Sequence, residues 1–94
     1  MTTSLKDLIE PMICLSTLHI TRDTCDNLVG NTPGMPIHYP NEYGAFVAVS
    51  SSQRGPKDLA EVLDWAKANG IAWVKFDPDG SVIDDLPVYE ELWG

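Results

Sequence analysis

The sequence has few basic residues, few cysteines and no long apolar run. Six lysines and arginines stand against 14 aspartates and glutamates, which gives a formal charge of −8. Because phosphate contacts need clustered basic side chains, this balance disfavours direct binding of nucleic acid. No apolar run approaches the roughly 18–20 residues that span a bilayer, and the N-terminus lacks the pattern of a signal peptide. We therefore expect a cytoplasmic protein that binds neither nucleic acid nor membranes.

Cysteine and histidine are too few and too scattered to predict a metal site. Cys14, Cys25, His19 and His38 match no zinc-binding spacing. We expect both cysteines to be reduced and packed in the core, and His19 to be a hydrogen-bonded histidine at a strand end. A Cys–His nucleophile pair stays open, because such partners meet only in space. No metal, cofactor or catalytic residue is predicted, which favours a protein that is not an enzyme.

The length predicts a single domain that comprises residues 1–94. Its apolar share of 44% is normal for a globular protein and too high for a disordered chain of this charge. A chain of this length buries only about 60–65% of its unfolded surface. It therefore has room for one core and one shallow site.

Apolar spacing and turn residues divide the chain into helices and strands. The predicted segments are helices at Ser4–Glu10, Arg22–Val29 and Pro56–Asn69, and strands at Met12–Ser16 (continuing toward Ile20), Tyr43–Ser50, Ile71–Phe76 and Ser81–Asp84. The strand Tyr43–Ser50 is apolar on both faces, which is typical of a central strand. Asp77–Gly80 predicts a type I turn that joins the last two strands as a hairpin. Apart from the first helical turn, the order β-α-β-α-β-β indicates an α/β domain of the α+β type, with one mixed four-stranded sheet and two helices packed on it.

The segment Gly30–Glu42 contains three prolines and two glycines, which predict an irregular connection. Around its end lies a secondary candidate patch of aromatic, imidazole, amide and carboxylate side chains: His38, Tyr39, Asn41, Glu42 and Tyr43. Such a set can line a small-molecule pocket or form a contact patch. The tyrosines can equally close the end of the sheet, and the sequence leaves these alternatives open.

The negative charge is concentrated in the second part of the chain. Residues 55–94 carry nine acids against three lysines, a net of −6, whereas residues 1–54 carry five against three, a net of −2. The candidate partner-binding residues are Asp58, Glu61 and Asp64 on the second long helix, and Asp77, Asp79, Asp84 and Asp85 on the hairpin. A solvated acidic face that maintains solubility is the simpler interpretation. The alternative is a surface that mimics phosphate charge and docks into a basic groove of a protein partner.

Short motifs carry a resemblance over most of the chain, from about Leu15 to Trp93. They are the opening Leu15–Thr21, the stretch Tyr39–Val47, and a C-terminal series with Trp73, Phe76-Asp77, Asp79-Gly80, Ile83-Asp84, Leu86-Pro87 and Tyr89. Together they resemble a family of small uncharacterised domains carried by bacterial plasmids, integrative elements and phages, often near anti-restriction genes. The resemblance implies no reaction and no catalytic residues. It implies a mobile-element setting, inside a bacterial or phage-infected cell, and shifts weight toward counter-defence.

The sequence therefore favours a non-enzymatic acidic inhibitor of a bacterial defence system, of anti-CRISPR or anti-restriction type. It would bind a nucleic-acid-handling protein complex and block its basic groove. One alternative is a small-ligand binding or regulatory domain that uses the His38–Tyr43 loop. Another is an oligomeric scaffold, a homodimer joined through Tyr89, Leu92 and Trp93 of the C-terminal tail.

Overall fold

Seven short elements of regular structure occupy residues 10–89, the part of the chain that the computed structural model describes. They are β1 (Met12–Ser16), a 3-10 helix (Thr17–His19), α1 (Arg22–Val29), β2 (His38–Pro40), β3 (Ala45–Ala48), α2 (Lys57–Ala68) and β4 (Trp73–Asp77). The predicted helical turn at 4–9 and the tail beyond residue 89 lie outside this range. Within it, neither helix has the length and apolar character that crossing a membrane requires.

The four strands form one mixed sheet in the order β1-β4-β3-β2. β1 runs parallel to β4, with Met12 opposite Trp73, whereas β3 is antiparallel to both β4 and β2. The α+β class, the two helices and the mixed four-stranded sheet are confirmed. The interior position that the apolar strand Tyr43–Ser50 predicts is also found, because β3 has a partner on each side.

The fourth strand differs from the prediction. The Asp77–Gly80 turn is present, with the Gly80 amide donating to the Asp77 carbonyl at 2.9 Å, but Ser81–Asp84 does not return along β4 as a hairpin strand. Only Ser81 pairs, as an isolated bridge to Leu15 of β1. The fourth strand is β2, inside the segment predicted to be irregular, so the order is β-α-β-β-α-β. β2 tolerates Pro40 because it is an edge strand, where a residue without an N–H can be accommodated on the unpaired side.

Both helices contribute to one core against one face of the sheet. Strand alternation buries Val74 and Phe76 of β4, and leaves the residues between them half-exposed. The buried side chains of the core come from all the layers: Leu15, Ala45, Val47, Val74 and Phe76 from the strands, and Cys25, Leu28, Leu59, Val62, Leu63 and Ala66 from the helices. The four buried residues of α2, Leu59, Val62, Leu63 and Ala66, recur at the spacing of one helical face.

Asp58 joins the N-termini of the two helices. Its carboxylate accepts hydrogen bonds from the Thr21 backbone N–H (2.8 Å) and the Thr24 hydroxyl (2.9 Å). Thr21 itself caps α1, since its side chain accepts from the Thr24 backbone N–H. The carboxylate also lies in the first turn of α2, where negative charge is favourable.

His19 attaches the C-terminal segment to the domain. The imidazole is completely buried, and its Nε2 accepts the backbone N–H of Ile83 at 2.9 Å. Nδ1 therefore carries the proton of the neutral ring and donates it to the Pro87 carbonyl at 2.8 Å. The backbone N–H of Tyr89 donates to the Leu18 carbonyl at 2.8 Å and extends the same attachment. The expectation of a hydrogen-bonded histidine is confirmed.

We expect His19→Leu to lower the free energy of unfolding by about 2–5 kcal/mol, because it leaves a buried amide and a carbonyl without partners. Urea unfolding followed by circular dichroism measures the change. Val82→Ala, at a side chain that is 55% exposed on the same segment, serves as the control and should stay within about 0.5 kcal/mol of the wild type. Equal stability of His19→Leu and the wild type would contradict the assigned role.

Candidate functional site

The seven candidate acids do not form one surface with a common role. Asp58 is half-buried and bonded to α1, and Asp64 forms a 2.6 Å ion pair with Arg54. Arg54 is held in turn by the Val49 carbonyl at 2.6 Å. Asp58 and Asp64, two of the three predicted helix acids, thus make contacts within the domain. Glu61, the third, is exposed and makes no such contact among the described residues.

The acids of the C-terminal segment lie beside α2. The indole N–H of Trp65 donates to the Asp85 carboxylate at 3.0 Å, and Trp65 follows Glu61 by one helical turn. Asp84, its neighbour in the chain, is exposed. We name this group, Asp58, Glu61, Asp84 and Asp85, the acidic edge.

The pKa of the Tyr89 phenol is affected by two carboxylates of the acidic edge. Burial raises the pKa of its phenol above the ordinary value of 10, and the charges of Glu61 and Asp58 raise it further. Two carboxylates of α2 thus contribute to the pKa of a residue that lies about 30 positions further along the chain.

Asp77 and Asp79 occupy a different position, at the end of β4. The Asp79 amide donates to the Asp77 carboxylate at 2.8 Å, and Lys75 Nζ lies 3.7 Å from the same carboxylate. This pair stabilises the turn and has a neighbouring cation. The acids of the predicted hairpin therefore lie at two places, with Asp85 beside α2 and Asp77 and Asp79 at the turn after β4.

The secondary candidate patch is divided among three roles. Both ring nitrogens of His38 face backbone carbonyls, Pro36 at 2.6 Å and Leu28 at 3.0 Å, so the ring connects the loop to α1. The Asn41 side chain accepts the amides of Tyr43 (3.1 Å) and Gly44 (2.8 Å) and closes the turn before β3. These two side chains are engaged by the domain's own backbone, and His38 also lines an open pocket of about 350 Å³ whose lining does not include the other members of the patch.

The remaining three members of the patch point to different places. Glu42 and Tyr43 line an open groove of about 530 Å³ together with Arg22. Tyr39 is 61% exposed and lies on the opposite side of the sheet from the core, next to Trp73. The five residues of the patch are therefore not gathered at one pocket, and a small-ligand role for the His38–Tyr43 loop stays a prediction.

In residues 10–89 the ring nitrogens of both histidines face backbone groups, and no hydrogen bond pairs either ring with a cysteine. Both thiols are free. Cys25 is buried in the core, with its Sγ 3.8 Å from the Tyr43 carbonyl, whereas Cys14 is half-buried opposite Lys75 on the other face of the sheet, so the expectation of core packing is wrong for Cys14. Burial raises the pKa of the Cys25 thiol, and Asp26 adds to the shift, which disfavours the nucleophilic thiolate. In the same range no three His, Cys, Asp or Glu side chains are grouped to hold a metal ion.

The sequence reasoning missed a second surface, on the face of the sheet that the helices leave uncovered. We name it the open sheet face; its side chains are Met12, Cys14, Ile37, Tyr39, Phe46, Trp73 and Lys75. Tyr39 and Trp73 have ring centroids 5.9 Å apart, and the Lys75 ammonium lies 5.5 Å from the Phe46 ring centre. The Trp73 indole N–H donates to Glu10 at 3.2 Å. The alternation of Trp73, Lys75 and Asp77 with Val74 and Phe76 was the available signal.

These features define a small α+β domain with an acidic edge and an uncovered, aromatic sheet face. The model of one protein family matches residues 12–91, and the chain belongs to that family, described as "Family of unknown function (DUF5983) C-terminal domain". No curated protein and no solved structure matches the chain. The resemblance seen in the sequence is thus to a family without an assigned activity.

We expect Glu61→Gln to lower the pKa of Tyr89, because one of the charges that disfavour the phenolate is removed. The absorbance of phenolate at 295 nm, taken as the difference between each protein and its Tyr89→Phe counterpart, gives the titration of this one phenol. Asp79→Asn at the β4 turn is the matched control and should leave the titration in place. Equal shifts in both variants, or none in either, would show that Glu61 does not face Tyr89.

The same shift has a consequence for stability. The folded state holds the phenol proton of Tyr89 more tightly than the unfolded state does. The contribution of Tyr89 to the free energy of unfolding is therefore constant below about pH 10 and declines as the pH rises through the folded-state pKa.

Proposed function

We propose that this domain is a non-enzymatic inhibitor of a bacterial defence system, of anti-CRISPR or anti-restriction type. It binds a protein complex that handles nucleic acid and covers the basic groove of that complex. The observation that carries the proposal is the hydrogen bond from Trp65 to Asp85, which brings the acids of the C-terminal segment alongside those of α2. Without this contact the two acidic stretches would be separate features of the chain.

The acidic edge has the properties that a basic groove recognises. Glu61, Asp84 and Asp85 are exposed carboxylates, and a positive groove attracts such a group from a distance and orients it on approach. Asp85 is fixed by Trp65 and Asp58 by α1, so part of the charge is presented without further ordering on binding. We assign the contacts to Glu61, Asp84 and Asp85, and a positioning role to Asp58.

A binding role, as opposed to catalysis, is supported by how the reactive side chains are used. His19 bonds to backbone groups through both ring nitrogens, and both ring nitrogens of His38 lie within hydrogen-bond distance of backbone carbonyls. The Cys25 thiol is buried and its pKa is raised. The resemblance to domains of plasmids, integrative elements and phages supports the counter-defence setting, in which the protein acts in the cytoplasm of the host cell.

We expect neutralising the acidic edge with Glu61→Gln, Asp84→Asn and Asp85→Asn to weaken binding about 10- to 100-fold, at roughly 0.5–1 kcal/mol per exposed charge. The dependence of affinity on salt should also become shallower, since fewer ionic contacts form. The partner is first captured on the immobilised protein from a lysate of a host with the defence system, at low and at high salt. Its affinity is then measured as a function of salt, with and without double-stranded DNA as competitor.

The matched control changes the same number of charges elsewhere, with Asp23→Asn, Asp26→Asn and Asp79→Asn, all at exposed positions. This variant should retain affinity, and DNA should compete with both it and the wild type. In cells, the wild type and the control should restore phage plating on a defended host, whereas the edge variant should not. Equal losses in the two variants, or a partner that DNA does not displace, would refute the proposal.

A further inference from the structure

The open sheet face carries three of the seven large apolar side chains that are exposed in the described chain. Tyr39, Ile37 and Met12 are 61%, 60% and 53% exposed, and they surround the half-buried rings of Phe46 and Trp73. The side chains form two rows across the sheet. Met12, Trp73, Ala48 and Ile37 make up one row; Cys14, Lys75, Phe46 and Tyr39 make up the next.

The edges of the sheet are poor sites for a further strand. β2 is three residues long and contains Pro40, which cannot donate to a neighbour. The C-terminal half of the outer edge of β1 is occupied by Ser81, whose N–H and carbonyl bond to Cys14 and Ser16. These features favour a partner that packs on the face of the sheet.

We propose that the open sheet face is a homodimer interface, in which two copies of the chain pack face to face around a two-fold axis. A large aromatic side chain offers about 150–250 Å² of surface, so the exposed fractions on this face amount to roughly 500 Å² per copy. Two such faces bury about 1,000 Å² in total, the lower limit of a specific interface. The result is a weak, reversible dimer whose sheets stack about 10 Å apart.

The charges of the face favour a second copy over a strongly charged partner. Lys75 is the single cation among its side chains, and the carboxylates of Glu10 and Asp77 lie at its margins. With the two-fold axis placed between Lys75 and Asp77, each Lys75 faces the Asp77 carboxylate of its counterpart. The acids of the acidic edge lie beside α2, on the other layer of the domain, and remain free in the dimer.

Sedimentation equilibrium of the full chain, from about 1 to 500 µM, tests the proposal against matched lysine variants. Tyr39→Lys and Tyr43→Lys alter equally exposed tyrosines, at 61% and 63%, and change the net charge by the same amount. We expect a wild-type dimer with a micromolar dissociation constant, at least tenfold weakening by Tyr39→Lys, and none by Tyr43→Lys. The weakening is amplified because each substitution enters the interface twice.

Ile37→Lys is a second variant on the face and should also weaken the dimer at least tenfold, with circular dichroism confirming that each variant is folded. A wild type that is monomeric at every concentration overturns the proposal, whether the face then stays bare or another protein covers it. Equal weakening by Tyr39→Lys and Tyr43→Lys overturns it too. None of these substitutions alters the acidic edge, so the outcome is independent of the proposed inhibitory function.

Discussion

The buried imidazole of His19 is the contact on which the rest of the candidate site depends. It provides the acceptor for Ile83 and the donor for Pro87, and these two bonds hold the segment after β4 against the body of the domain. The segment between them contains Asp84 and Asp85, which have their position beside α2 because both ends are fixed. The positions of the exposed carboxylates Asp84 and Asp85 thus depend on hydrogen bonds made by a neutral, fully buried ring.

The domain has two layers, and each layer presents a different chemistry to its surroundings. The helical layer carries the acidic edge, whereas the uncovered side of the sheet carries aromatic and aliphatic side chains with one lysine. Because the two surfaces lie on separate layers, one can be occupied without covering the other. This separation is consistent with a domain that combines a polar and an apolar contact in one small chain.

Local signals in the sequence were sufficient for the helices and for three of the four strands. Thr21 and Gly30 bound α1, and apolar spacing defined the buried face of α2. The fourth strand could not be recognised, because an edge strand of three residues with a proline depends on its partner and has little propensity of its own. The alternation at Ser81–Asp84 resembles a strand, but its one pairing is to β1 and depends on contacts distant in the sequence.

The candidate site was predicted only in part, for the same reason. Charge counts located the acids, but not the contacts that use Asp64 and Asp58 or bring Asp85 to Trp65. The composition of β4 contained the pattern of the open sheet face, yet alternation alone does not tell which face a second layer covers.

The parallel pairing of β1 with β4 joins residues about sixty positions apart, and β4 is also the partner of β3. During synthesis the sheet therefore cannot assemble until almost the whole domain has left the ribosome, and folding waits for its last strand.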